Sequence, residues 1–171
     1  MTGRLRLTVE AAKTEDRGPV ANLLQLYLHD FSEMESDIRV DASGSFPSSD
    51  FEVYWQEESR RVYVFRLGGA LAGFAFVNDW SPSGQGVDYG LAEFFVLRSH
   101  RRSGVGWEAA NQLFASLPGQ WEVAVRGPNV PAVNFWRTAL RDDTIDDLKE
   151  VAGDGQRWDG PIFRFVSRAA M

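Results

Sequence analysis

The sequence predicts a mixed α+β domain, with about four helices packed on one mixed, mostly antiparallel sheet of about seven strands. Three observations predict it. Leu5, Leu7 and Val9 alternate with Arg6 and Thr8, a strand signal, whereas Val20, Leu23, Leu24, Tyr27 and Leu28 recur at helical spacing. Two glycine-rich turns, Gly68-Gly69 and Ser81 to Gly86, divide the middle of the chain into an antiparallel run of three strands. Downstream, helical and strand patterns alternate, which makes the sheet mixed.

Taken in order, the first strand spans residues 5–9. Thr14-Glu15-Asp16 offers a cap and first-turn acids for a first helix that ends near His29. From Asp30 to Pro47 the pattern loosens and turns acidic, with Glu33, Glu35, Asp37 and Asp41. Ser49-Asp50 then caps a short second helix through Phe51, Tyr54 and Trp55. Residues 62–67 and 70–77 form a hairpin about Gly68-Gly69, and a fourth strand, 88–97, is apolar enough at its centre to be buried on both faces. The third helix runs from the turn at 101–106 to about Leu117 and stops at Pro118-Gly119. Trp121 to Val125 is the fifth strand and Asn129 to Leu140 the last helix. Strands at Leu148 to Ala152 and Pro161 to Val166 bracket the polar turn Gly153 to Gln156.

One domain over residues 1–171 is expected, because 44% hydrophobic content supports a full core and no proline-rich or charged stretch divides the chain. No run of about 18 apolar residues spans a bilayer. Met1 to Arg6 leads into an alternating strand rather than a signal-peptide core, so a cytoplasmic protein with no membrane partner is expected. The lack of cysteine excludes disulfides, thiolate metal sites and a thiol nucleophile. A net charge of −6 argues against nucleic acid as a partner. His29 and His100 lie far apart with no His-Glu-x-x-His pair, so no metal is expected.

The chemically informative segment is Arg101-Arg102-Ser103-Gly104-Val105-Gly106, where a strand becomes a helix. Its glycines let backbone approach a ligand, and the unpaired N–H groups of the helix start point at whatever is bound. Arg98, His100, Arg101 and Arg102 concentrate positive charge against an acidic background. Such a turn suits phosphate groups. It is neither a dinucleotide fingerprint, whose spacing is absent, nor a Walker loop, which needs Gly-Lys-Ser/Thr.

The order of elements together with two motifs resembles the GNAT superfamily of acyl-CoA-dependent N-acyltransferases over nearly the whole chain. The family's pyrophosphate loop, Gln/Arg-x-x-Gly-x-Gly/Ala, is matched by Arg101, Gly104 and Gly106 after Val96. The segment from Asn129 through Ala132 to Phe135-Trp136 is similar to the family's Asn-x-x-Ala-x-x-Phe-Tyr. The resemblance implies a sheet splayed between the fourth and fifth strands and acetyl-CoA as acyl donor. Its pyrophosphate would rest on the N–H groups of Arg102, Ser103, Gly104, Val105 and Gly106, with charge from Arg101 or Arg102. The pantetheine arm would pair with backbone near Phe94, Phe95 and Val96 and near residues 123–125, with Asn129 on the opposite wall beside Phe135 and Trp136. On spacing alone, Asn129 serves equally well as a loop residue ahead of a proline-containing helix start.

An alkylammonium, with a pKa of about 10, must lose a proton before it can attack a thioester. Glu93, three residues before Val96, stands where relatives often carry the base. Among Leu91, Phe94 and Phe95 it would be partly desolvated, with a raised pKa, the alternative being an ion-paired glutamate at a strand edge. A backbone donor near Val96 would hold the oxyanion. The tyrosine acid of many relatives is replaced by Trp136, whose indole N–H is not a practical acid. Tyr89 or Tyr27 could substitute, though each also fits packing or acceptor contact. A thiolate of reference pKa about 8.5 leaves without much help, so losing the acid slows transfer rather than abolishing it.

Acceptor choice, by the same resemblance, belongs to the first-to-second helix region and the loop between the third and fourth strands. His29, Asp30, Glu33 and Glu35 would form an acidic rim for a cationic small-molecule or peptide amine, with Tyr27, Trp80 and Tyr89 as aromatic walls. A plain exposed acidic loop is the alternative. The expected function is acetyl transfer from acetyl-CoA to a primary amine by direct attack in a ternary complex; the other reading is a non-catalytic acyl-CoA-binding or sensing module. Trp158, Phe163 and Phe165 either pair a homodimer or, the preferred reading, complete the core.

Overall fold

The computed structural model describes residues 5–170; the reading of Met1 to Arg4 as a lead-in lies outside them. The strands are β1 (Leu7–Ala11), β2 (Arg61–Leu67), β3 (Ala70–Asn78), β4 (Tyr89–Val96), β5 (Gly119–Ala124), β6 (Ile145–Ala152) and β7 (Pro161–Ser167). The helices are α1 (Arg17–Phe31), α2 (Val105–Ser116) and α3 (Val130–Ala139). The sheet order is β1-β2-β3-β4-β5-β7-β6, antiparallel throughout except for the parallel pair β4–β5.

Local chemistry accounts for the departures from the sequence expectation. Thr14-Glu15-Asp16 forms a 3₁₀ turn ahead of α1, and Asp16 rather than Thr14 closes it, accepting the Lys13 N–H at 2.8 Å while also pairing with Arg66. The expected second helix is a single 3₁₀ turn, Glu52–Trp55. In a 3₁₀ turn residues three apart eclipse, so Phe51 and Tyr54 both land on Phe76, with ring centroids at 6.4 and 4.4 Å. β6 starts at Ile145 rather than near Leu148 because its exposed charges, Asp146, Asp147, Lys149 and Glu150, hide the alternation of a strand. A bulge between Asp146 and Lys149, with Asp147 at φ 51°, blunts this edge of the sheet.

Each face of the sheet has its own core. Leu113 and Phe114 of α2 and Trp136 of α3 pack with Phe65, Trp121, Phe163 and Phe165 on one face. Val20, Leu23 and Leu24 of α1 cover Val64, Phe74, Phe76 and Phe95 on the other. Phe163 and Phe165 are fully buried and so complete the core.

Two irregularities of β4 position the site. Phe76 pairs with Glu93 and Val77 with Leu91, so Ala92 is an extra, bulged residue. Tyr89 and Glu93 would share a face of a regular strand; the bulge sends Glu93 toward α1 and leaves Tyr89 with the core under α2. In addition, β4 and β5 pair only at Tyr89–Trp121, Gly90–Glu122 and Leu91–Val123, after which they part.

The loop between β3 and β4 is fastened from below by Glu122, a fully buried carboxylate of β5. It accepts hydrogen bonds from Ser81 Oγ (3.0 Å), the Ser83 N–H (3.1 Å) and Ser83 Oγ, and pairs with Arg164 Nε of β7 at 3.0 Å. Such a carboxylate is stable inside only because every side of it is met by a donor. Glu122→Ala strands Arg164 and the serine donors, and is expected to lower unfolding free energy by about 3–5 kcal/mol. Denaturant titration checks this, and a loss below about 1 kcal/mol would remove Glu122 from the anchor role.

Candidate functional site

A cavity of about 700 Å³ runs from the α1 side of the sheet into the gap where β4 and β5 part. Tyr27 of α1, Asp50 of the long linker, Glu93 and Phe94 of β4, Arg126 after β5, and Asn129 and Trp136 around α3 all line it. At its centre Glu93 Oε2 accepts a hydrogen bond from the Tyr27 hydroxyl. The Tyr27 ring is held by Phe31 at 4.7 Å and by Phe74 and Phe95, both at 5.9 Å.

Burial pushes Glu93 up to about 7; the Tyr27 hydrogen bond opposes the shift, Asp50 adds to it, and Arg126 opposes it. Glu93 keeps part of its surface open to the cavity, so a desolvated carboxylate remains within reach of a ligand. Burial, then the charge and hydrogen bond of Glu93, push the Tyr27 phenol well above its ordinary value. Tyr27 therefore keeps its proton at neutral pH and can donate it to the carboxylate.

At the far end of β4 the turn into α2 is closed by Gly104 at φ 86°, a left-handed conformation that suits glycine. The N–H groups of Val105, Gly106 and Trp107 precede the first helical bond, from the Glu108 N–H to the Gly104 carbonyl at 3.0 Å, and face outward from the helix end. Gly106 is also a packing residue: a Cβ there would lie 3.3 Å from the Phe135 ring and 3.8 Å from Val96. Ser103 Oγ donates to the His100 carbonyl at 2.7 Å, which ties the turn to itself.

The sequence leaves the charge of the turn to Arg101 or Arg102, and the structure gives the two different surroundings. Arg101 Nε donates to the Val96 carbonyl at 2.8 Å, and its guanidinium pairs with Asp30 at 2.6 Å while lying over the Phe95 ring. Arg98 holds the other oxygen of Asp30 at 2.7 Å. Burial acts to raise Asp30, but the hydrogen bonds and charges of Arg98 and Arg101 outweigh it and hold the carboxyl below its usual value. Arg101 thus fastens the end of α1 to the end of β4. Arg102, exposed and at φ 60°, is without a hydrogen-bond or ion-pair partner among the described residues and is the cation left to the turn.

Beyond the gap, Phe94 stacks on Phe135 at 6.0 Å and meets Trp136 edge-on at 5.1 Å. Asn129 caps α3, its Oδ1 accepting the Ala132 N–H at 3.2 Å, and the residue also lines the cavity.

The outer wall is only partly the expected one. Trp80 lines the cavity with Trp158, ring centroids 6.4 Å apart, and Trp158 Nε1 donates to the Val125 carbonyl at 3.1 Å. Glu35 lines it too, 3.9 Å from Arg126. Asp30 is consumed by two arginines, and His29 and Glu33 are not among the lining residues. Tyr89 is not brought to the cavity: its ring lies 5.0 Å from Trp121, with Arg61 over it at 5.3 Å, on the opposite face of the sheet. Asp37, Asp50, Tyr54, Arg126 and Trp158 line the cavity although the sequence does not point to them. Asp37, Asp50, Arg126 and Trp158 sit in loops without periodicity and Tyr54 in a turn that reads as a short helix, so no regular spacing marks them for the cavity. Among the described residues no group of three or more His, Asp or Glu could hold a metal ion, and no helix is long and apolar enough to cross a membrane.

A model of the acetyltransferase (GNAT) family matches residues 21–140. Solved structures share the fold over most of the chain. A GNAT-family acetyltransferase from Staphylococcus aureus Mu50 is 9% identical, covering 94% of this chain and 99% of its own, with a TM-score of 0.62. The ribosomal-protein-S18-alanine N-acetyltransferase from Escherichia coli is 17% identical, covering 97% of both chains, with a TM-score of 0.59. The aminoglycoside acetyltransferase AAC(6')-Ib, in complex with coenzyme A, is 17% identical, covering 95% of both, with a TM-score of 0.62. None of the curated proteins compared with the chain matches it by sequence.

The raised Glu93 has a thermodynamic signature. Its folded value near 7 exceeds the ordinary 4.5, so the folded state binds more protons in between and stability falls as pH rises through that window. Glu93→Gln is expected to melt higher than wild type at pH 8, with the difference vanishing toward pH 4. A variant no more stable than wild type at pH 8 would contradict a desolvated carboxylate.

Proposed function

The chain belongs to the GNAT family of acetyltransferases, and from that footing we propose that it carries an acetyl group from acetyl-CoA directly to a primary amine, with Glu93 as general base. The observation that carries this reading is the Glu93 carboxylate, raised to about 7, in a cavity that meets the β4–β5 gap. A base poised near neutrality accepts a proton from an ammonium without being permanently protonated itself.

The two strand edges that face each other beyond Leu91 and Val123 supply backbone donors and acceptors for the amides of the pantetheine arm. The N–H groups at the start of α2, with Arg102, suit the pyrophosphate. A backbone donor near Val96 suits the developing oxyanion. The amine nitrogen attacks the thioester carbon, the new C–N bond forms, and the C–S bond breaks as the thiolate leaves. Glu93 takes the proton that the ammonium loses before attack, and the second proton, lost by nitrogen as the amide forms, passes to solvent. With Trp136 where relatives place a tyrosine, the thiolate of reference pKa about 8.5 departs unprotonated and collects its proton from solvent.

Around the acceptor end, Glu35, Asp37, Asp50 and Glu93 outnumber Arg60 and Arg126, which supports a cationic amine. Trp80 and Trp158 add ring faces that favour the same charge. The similar structures include enzymes named for a ribosomal-protein alanine and for aminoglycosides, so the fold alone does not choose between peptide and small molecule. Trp136 is the observation behind the second reading, an acyl-CoA-binding module without turnover.

A thiol-release assay with acetyl-CoA and a broad panel of cationic amines is expected to find at least one acceptor, with Glu93→Gln slower by about 10²–10⁴-fold. Calorimetry is expected to show acetyl-CoA binding retained in Glu93→Gln, weakened in Arg102→Ala and lost in Gly104→Trp. Binding without thiol release from any amine would favour the sensing module, and undiminished binding by Gly104→Trp would remove the turn from the donor site.

A further inference from the structure

Tyr27 reaches Glu93 from a different element, α1, and its own position is over-determined. Its ring is wedged among Phe31, Phe74 and Phe95, so the hydroxyl has one place to go. That place is Glu93 Oε2, with both residues lining the same cavity. A carboxylate has two oxygens, and a phenol held on one of them leaves the other to meet an incoming amine. Resting on Glu93 as the base, we propose that Tyr27 is a positioning residue for acetyl transfer: its hydroxyl occupies Oε2, fixes the carboxylate in one rotamer and leaves Oε1 free for the acceptor.

The alternatives for Tyr27 are direct contact with the acceptor and simple packing. The surrounding charges separate them. Glu93 is faced by Tyr27 from α1, Asp50 from the linker, Tyr54 from the 3₁₀ turn and Arg126 after β5. Tyr27 and Arg126 favour its ionised form, and Asp50 and burial oppose it. Removing the hydroxyl therefore moves the acid limb of the rate profile to higher pH, whereas removing the Asp50 charge moves it to lower pH. Neither direction follows from lost packing or a lost acceptor contact.

The test measures kcat and acceptor KM against pH for wild type, Tyr27→Phe and Asp50→Asn, with the acceptor found by thiol release. Tyr27→Phe keeps the ring and its three aromatic neighbours. Its acid limb is expected about one pH unit higher, with kcat down about tenfold at pH 6 and little changed at pH 9, because each unit is tenfold in the ionised fraction. Asp50→Asn is expected to shift the limb the opposite way. An unmoved limb in Tyr27→Phe, with only acceptor KM raised or kcat lowered equally at every pH, overturns the positioning role while leaving Glu93 as base. Wild-type turnover with an unaltered limb in Glu93→Gln overturns the base assignment itself.

Discussion

Strands β4 and β5 share only three residue pairs before they separate, and the rest of the molecule is arranged around that parting. A parallel pair that stops early leaves facing strand edges whose amide groups need partners. The separation persists because each strand is fixed on its far side, β4 by β3 and β5 by β7, in long antiparallel ladders. Phe94, Phe135 and Trp136 then fill the space beneath the gap without closing it. The cavity is thus a property of strand geometry, not of missing side chains.

The bulge at Ala92 acts on the same strand and decides which side chains the cavity receives. One extra residue reverses the facing of everything before it, so Glu93 turns to α1 while Tyr89 joins the opposite core. Arg101 completes the frame by tying the end of β4 to Asp30 at the end of α1. The element that carries Tyr27 is thereby held to the strand that carries Glu93, although the two residues are far apart in sequence.

Two carboxylates on adjacent strands show how the protein treats charge in its interior. Glu122 is surrounded by two serines, a backbone N–H and Arg164, and holds a loop. Glu93 has one hydrogen bond, the Asp50 charge against it and the Arg126 charge in its favour. The first is satisfied and structural; the second is kept short of partners, at a cost in stability above neutral pH, and is the one that faces the cavity.

The sequence by itself determined the seven strands, the order of the elements, the glycine turn and its helix, and the Asn129 to Trp136 segment. These are set by side-chain periodicity and by glycine's access to positive φ, which act over a few residues. Its resemblance to the family also marked Glu93, three residues before Val96 and among apolar neighbours. The sequence did not determine that Arg101 and Asp30 neutralise each other, that Tyr89 faces away, that Tyr27 binds Glu93, or that Trp158 and Asp50 reach the cavity. Those outcomes depend on a single-residue bulge and on loops without periodicity, where the partner of a charge is whichever group the tertiary packing brings within a few ångströms, and only the folded chain decides that.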